Sequence, residues 1–187
     1  MDKIIFGFVG QIASGKGTAV KHLKTKYNAS TYRFSTMLTD VLNRLYLENN
    51  RENLQKLSQI IRENFGEETM ARVMAEDVKN DKNNLIAIDG VRRPGDVVNL
   101  KEIPGFILVN ITADIEKRYE RIIKRTEKVD DVGKTLKEFK TDHKREAELK
   151  IEEIASQATD TIDNNGSLED LHTQLDKLIE KYQSKSV

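Results

Sequence analysis

A chain of 187 residues is long enough for one domain, and its 31 basic and 31 acidic side chains leave no net field to draw in a polyanion. Charged residues at 33% and hydrophobic residues at 37% fit a helix-rich fold with long solvated faces, and no apolar run approaches the ~18 residues of a membrane span. With no cysteine, disulfides and thiolate chemistry are excluded, and the three histidines, His22, His143 and His172, leave little for a zinc site.

In chain order, the continuous apolar run Ile4-Ile5-Phe6-Gly7-Phe8-Val9 predicts a strand covered on both faces in a parallel sheet. It lacks the basic start and cleavage site of a signal peptide, so a cytoplasmic chain is expected. From Lys16 the period becomes helical, with Val20, Leu23 and Tyr27 recurring on one face. Residues 31–34 fit a short second strand. Ser35 then fits an N-cap for a helix that presents Met37, Leu38, Val41, Leu42, Leu45 and Tyr46 on one side. Two more helices follow with no strand between them. The first carries Leu54, Leu57, Ile60 and Ile61 and ends near Gly66; the second carries Met70, Val73, Met74 and Val78.

Leu85-Ile86-Ala87-Ile88 predicts another buried strand, closed by Asp89-Gly90, and a short helix with Val97, Val98 and Leu100 begins near Pro94. Residues 106–111 read as a third strong strand, and Ile115, Tyr119, Ile122 and Ile123 mark the next helix. The stretch 126–150 is the most highly charged, with Val129, Val132, Leu136 and Phe139 as its few apolar anchors. Residues 159–163 fit a last strand, Asn164-Asn165-Gly166 a turn, and Ser167 with Asp170 the opening of a helix through Leu171, Leu175, Leu178 and Ile179. Alternating strands and helices predict an α/β fold. The expectation is a single domain over 1–187, with a roughly five-stranded parallel sheet, helices on both faces and a helical insertion at 36–80.

The strongest chemical signal lies between the first strand and the first helix: Gly10-Gln11-Ile12-Ala13-Ser14-Gly15-Lys16-Gly17-Thr18. Glycines let a backbone wrap close to a phosphate with its N–H groups turned inward, and the helix N-terminus adds a favourable field. Gly10, Ala13, Ser14, Gly15, Lys16, Gly17 and Thr18 are therefore candidate nucleotide ligands. Lys16 would reach the β and γ phosphates, and Thr18 lies near a Mg²⁺ position. Gly17 stands where the strict pattern has Ser or Thr. Asp89, ending a buried strand, suits a hydrated Mg²⁺. Gly90 after it removes the carboxylate that activates water in motor ATPases, and Glu127-Lys128-Val129-Asp130 lacks the asparagine of a guanine-reading motif. Phosphoryl transfer from ATP with Mg²⁺ is the expected chemistry.

Gly-Lys-Gly-Thr at the loop and Asp89-Gly90-Val91-Arg92 after the strand, with Arg118-Tyr119-Glu120-Arg121 later, resemble the adenylate-kinase-like P-loop nucleoside monophosphate kinases. The pattern is similar also to dephospho-coenzyme A kinases and deoxynucleoside monophosphate kinases. The resemblance implies an acceptor site on the 36–80 helices and a short lid within 118–145. It makes Arg121 and Arg125 lid arginines in catalysis and Arg118 a nucleotide contact. It also sets Arg92 and Arg62 on the acceptor's phosphate, and lays the loop with Asn165 and Gly166 against the donor base. The same arginines also fit a solvated basic face, and the Asn-Asn-Gly turn with its cap explains itself. The arginine that adenylate kinases carry after Ser-Thr is absent here, where Val41 or Asn43 stands; Arg33 or Arg44 are candidates to replace it.

The function expected is transfer of the ATP γ-phosphoryl to a small acceptor, foremost a (deoxy)nucleoside monophosphate. Dephospho-coenzyme A, whose hydroxyl would need Asp89 as a base, is the alternative, and a regulatory nucleotide-binding protein that cycles slowly is the rival class. Expected partners are ATP and the acceptor, with no nucleic acid and no membrane, in a monomer or weak homo-oligomer.

Overall fold

Strands that are apolar at consecutive positions must be covered on both faces, and three such runs make the centre of one parallel sheet. The computed structural model describes residues 3–124, 135–142 and 146–184. In it the central strands are β1 (Ile4–Val9), β3 (Leu85–Asp89) and β4 (Phe106–Thr112), and the edges are β2 (Ser30–Arg33) and β5 (Asp160–Asp163). Their order is β2-β3-β1-β4-β5, every neighbouring pair parallel. The registers Arg33↔Asp89, Phe8↔Asp89, Val9↔Asn110 and Thr112↔Asp163 bring the carboxyl ends of all five strands to one edge. Open parallel sheets bind ligands at that edge.

Alternation along β1 divides the core. Phe6 and Phe8 join Ile107, Val109 and Ile111 of β4 beneath helices α1 (Lys16–Tyr27) and α9 (Leu168–Gln183), which contribute Ala19, Leu23, Leu171, Leu175 and Ile179. Ile5 and Val9 face the other way with Ile86, Ile88 and Leu108. There they meet α2 (Phe34–Arg44), α4 (Thr69–Asn80), α5 (Pro94–Lys101) and α8 (Glu146–Ala155) through Phe34, Leu38, Met74, Val78, Leu100 and Ile154. Gly7 of β1 has no room for a side chain, since an added Cβ would lie 2.7 Å from the Phe106 ring. Helices α3 (Arg51–Phe65), α6 (Ile115–Ile123) and α7 (Leu136–Asp142) complete the described elements. The three helices α2, α3 and α4 lie between β2 and β3, as the period predicts.

Two local expectations are corrected. The helix after β2 begins at Phe34 with Arg33 as its cap, not Ser35, because Arg33 stays extended in register with Asp89. That helix ends at Arg44, so Tyr46 leaves the apolar face: it has φ 57° and is 88% exposed. In the charged stretch Phe139 of α7 is buried against Ala13 and Ile122, as expected of an apolar anchor, and just beyond it α8 buries Ile151 and Ile154. Two or three apolar side chains per helix are enough to seat them.

The α1–α9 contact carries a polar cluster. His22 and His172 stack with centroids 3.9 Å apart, while His22 Nε2, Lys26 Nζ and Tyr27 Oη each lie 2.8 Å from the Asp176 carboxylate. These donors hold the Asp176 carboxyl well below the usual carboxylate range, against the opposing effect of burial. Burial and the neighbouring His22 push His172 below its ordinary value of about 6.5, against the pull of Asp176 and Glu169. The unfolded chain therefore binds this proton first as pH falls, so the His172 contribution to stability is complete above about pH 7 and declines as pH drops through about 6.5. Urea midpoints measured from pH 8 to pH 5.5 should fall, and His172→Phe, which keeps a stacked ring but cannot titrate, should fall less. Parallel pH profiles for the two proteins would refute this assignment.

Candidate active site

β1 ends at Val9 under the carboxyl edge of the sheet, and residues 10–15 turn the chain into α1. Gly10 (φ 150°) and Gly15 (φ 114°) hold backbone conformations that side chains rarely adopt, and Ala13 (φ 60°) joins them. Space excludes larger residues as well. A Cβ on Gly10 would lie 2.3 Å from the Ile111 carbonyl oxygen, and one on Gly15 would lie 2.1 Å from Asn164 Nδ2.

Each carbonyl oxygen from Gly10 to Ser14 meets a side-chain donor, from α1, from α6 or from the turn after β5. Lys16 Nζ donates to Gly10 O (2.5 Å) and Gln11 O (2.9 Å), and Arg118 Nη1 lies 3.4 Å from Ile12 O. Arg121 Nη1 lies 3.4 Å from Ala13 O, and Asn164 Nδ2 donates to Ser14 O at 2.7 Å. The first turn of α1, by contrast, leaves the N–H groups of Gly17 and Thr18 without acceptors inside the helix. A loop whose carbonyls are tied outward and whose N–H groups are open is an anion cradle.

The residues present fit a Mg²⁺–nucleotide. Ser14 is 1% exposed, and its Oγ has no partner among the described residues, so a buried hydroxyl sits in the cradle with its hydrogen bonds unmade. Beside the cradle a cleft of ≈ 350 Å³ is lined by Gly15, Thr18, Arg121, Lys124, Asn164 and Leu168, which suits an anion and an attached flat apolar group. No group of three His, Asp or Glu side chains that could hold a metal exists among the described residues. A metal here would rely on a hydroxyl, a carboxylate, phosphate oxygens and water, which is the habit of Mg²⁺. The candidates for it are Thr18, on the cleft, and Asp89, at the end of β3. Asp89 is buried, and its Oδ2 accepts from Arg33 Nη2 at 2.6 Å.

The other sequence-predicted residues divide by placement. Arg121 is half-buried between the loop and the cleft, and its Nη2 donates to Asn164 O at 2.7 Å. Arg118 is not a cleft residue: it is 2% exposed, its Nε donates to Ala113 O (3.0 Å), and its guanidinium lies 5.7 Å from the Phe139 ring centre. It braces the loop from beneath because one turn of α6 sets it below Arg121. Arg125 lies outside the described residues. Asn165 and Gly166 do not line the cleft. Asn165 is held at the start of α6, its Oδ1 accepting from Asp114 N (2.8 Å), and Gly166 leaves room for Asp170 in the α9 capping box. The turn instead offers Asn164 and Leu168, which the sequence reading passed over. An asparagine directly after a strand predicted to end beside the loop was the available signal.

Arg62 is likewise spent inside the protein. Its Nη1 donates to Glu67 O (2.9 Å), and its Nη2 lies 3.9 Å from the buried Asp96. Asp96 also accepts from the N–H groups of Arg92 (3.1 Å) and Arg93 (3.0 Å); burial pushes its pKa up against these donors. Arg62 thus ties α3 to α5 rather than facing an acceptor. Arg92 is different: its side chain is exposed and has no partner among the described residues.

Comparisons with known proteins agree with the fold. The family described as AAA domain (AAA_17) matches residues 9–140. The UPF0200 protein of Methanoregula boonei is 30% identical over 176 residues, covering 94% of this chain and 95% of that one. That of Sulfurisphaera tokodaii is 26% identical, covering 95% and 96%. Among solved structures, TT1252 from Thermus thermophilus has a TM-score of 0.61 at 20% identity over 97% of this chain and 98% of its own. Shikimate kinase from Bacteroides thetaiotaomicron has a TM-score of 0.62 at 16% identity over 95% and 98%. These structures share the kinase-like P-loop fold.

The buried brace can be tested directly. Arg118→Met keeps much of the volume but strands the Ile12 and Ala113 carbonyls, which should cost ~1–3 kcal/mol in urea unfolding. An unchanged midpoint would show that the loop does not depend on this donor.

Proposed function

The chain belongs to the AAA domain (AAA_17) family of P-loop proteins and to the UPF0200 family, and from that premise we propose that it is a small-molecule kinase. The reaction proposed is transfer of the γ-phosphoryl of ATP to a small anionic acceptor, foremost a nucleoside monophosphate. The observation that carries the reading is the outward tethering of the carbonyls of Gly10–Ser14 by Lys16, Arg118, Arg121 and Asn164. It leaves a cradle for phosphates beside a cleft that could take a base.

In this reading Lys16 exchanges the carbonyls of Gly10 and Gln11 for phosphate oxygens and stabilises charge on the transferring group. Arg121 stands at the mouth of the cleft to neutralise phosphates, and Ser14 Oγ gains its missing partner. Thr18 and Asp89 would hold Mg²⁺, which when bound offsets charge on the β and γ phosphates. The acceptor lies on the side of α2, α3 and α4, where Arg92 offers an unspent guanidinium for its phosphate. A monophosphate is already an anionic nucleophile and needs no base.

Two substitutions test this. Lys16→Ala should lower turnover by about 10²–10³, while the loss of its bonds to the Gly10 and Gln11 carbonyls should lower stability by no more than about 1–3 kcal/mol and leave the protein folded. The measurement is ADP release with Mg-ATP across nucleoside monophosphates and dephospho-coenzyme A. Near-normal turnover in the folded variant would overturn the assignment. Arg92→Ala should raise the acceptor's KM or lower kcat while ATP binding persists.

A further inference from the structure

Resting on the kinase reading, we propose that Arg33 is the acceptor's anion anchor and also a latch, holding Asp89 neutralised until an anionic acceptor draws the guanidinium away. The two residues are cross-strand partners at the carboxyl ends of β2 and β3, and Nη2 of Arg33 lies 2.6 Å from Oδ2 of Asp89. Their exposures differ sharply. The Arg33 side chain is 58% exposed and the Asp89 side chain 11% exposed, so the carboxylate is the fixed member and the arginine the movable one.

The surroundings give the guanidinium a place between the phosphate cradle and the end of β3. A Cβ added to Gly17 would lie 3.9 Å from Arg33 Nη2, and one added to Gly90 would lie 3.9 Å from Arg33 Cγ. Arg33 thus lies alongside both glycines, at ordinary contact distance from where a Cβ would stand, and Gly17 is the position where the strict loop pattern has a hydroxyl. Arg33 makes no other hydrogen bond or ion pair among the described residues, and with its side chain 58% exposed it has N–H donors to offer a bidentate phosphate. Asp89 has no other side-chain partner among the described residues either.

Chemistry sets the direction of exchange. A phosphate monoester carries more charge than a carboxylate and accepts both arms of the fork, so it outcompetes Asp89 for Arg33. The carboxylate left behind is then free to help hold the metal beside the cradle. Before that moment its charge is cancelled, which ties completion of the metal site to arrival of the acceptor and disfavours transfer to water. A neutral hydroxyl acceptor offers Arg33 nothing to move to. Solvent screens the pair from the Arg33 side, and Asp89→Asn removes the buried charge that Arg33→Ala alone would leave unpaired.

The full chain carrying Arg33→Ala, Arg33→Lys, Asp89→Asn or both Arg33→Ala and Asp89→Asn decides the matter. Mn²⁺ is titrated into each protein saturated with ADP and without acceptor. Arg33→Ala should bind Mn²⁺ severalfold more tightly than the parent, and adding Asp89→Asn should erase the gain. In ADP-release assays over nucleoside monophosphates, Arg33→Ala should raise the acceptor's KM by about tenfold or more and leave the KM for ATP within about twofold. Arg33→Lys should restore part of the loss, and the unfolding midpoint of the double variant, which leaves no unpaired buried charge, should stay near the parent's. Unchanged Mn²⁺ affinity in Arg33→Ala, or equal rises in both KM values, overturns the proposal. If the parent turns over no monophosphate, the kinase reading and the anchoring role fail together, while the Mn²⁺ titration still decides whether Arg33 latches Asp89.

Discussion

A loop can turn its N–H groups toward an anion only if its carbonyl oxygens, which point the other way, find donors elsewhere. In this protein that requirement reaches across the whole carboxyl edge of the sheet. Lys16 from α1, Arg118 and Arg121 from α6, and Asn164 from the turn after β5 each take a carbonyl between Gly10 and Ser14. Three of the four donors lie more than a hundred residues downstream, so the full set is assembled only once β4 and β5 have docked beside β1. Register does this work: Thr112 pairs with Asp163, and Asn164 N donates to Thr112 O (2.8 Å), which aims the Asn164 side chain at the loop. The glycines alone permit the turn; the distant donors hold it.

The same logic separates the cations into two groups. Arg118 is buried and Arg62 half-buried, and both are engaged by acceptors of the protein itself, one under the loop and one at Glu67 and Asp96. Removing a guanidinium so placed leaves protein acceptors unpaired, most expensively under the loop, so such residues act on the architecture of the site. Arg33 and Arg92 are exposed at the open side, where charge can be exchanged with an incoming anion. In a chain of zero formal net charge, this placement is what gives the site a local positive field.

The five strands and the phosphate loop were legible because their signals are local: unbroken apolar runs, and glycines followed by lysine before a helical period. The Ser167 cap was legible for the same reason, with Asp170 completing its capping box. What escaped depended on partners remote in sequence. Nothing near Arg118 separates a buried brace from a surface arginine; its burial follows from Phe139 and Ile122 closing over it. Arg62 has the spacing of an ordinary helical charge, and only the fold puts Asp96 beside it. Helix α8 was hidden because charges surround Ile151 and Ile154, so its period is carried by two buried residues. Asn165 and Asn164 are adjacent and chemically identical, and the strand register alone decides which one meets the loop.

The departure of the loop from its strict pattern also becomes intelligible at the level of packing. A Cβ at position 17 would stand 3.9 Å from Arg33 Nη2, in ordinary contact, so the position that lacks the pattern's hydroxyl is the one beside which an arginine from another strand lies. The extended backbone at Arg33, which displaced the expected helix cap from Ser35, is the same feature that sets the guanidinium on Asp89. Position 17, the end of β2 and the carboxylate of β3 thus form one arrangement rather than three independent variations. Its physical content is a positive charge on a movable arm, held between two fixed elements of the phosphate site. Such an arm can report the arrival of a second anion to a carboxylate without any change in the sheet.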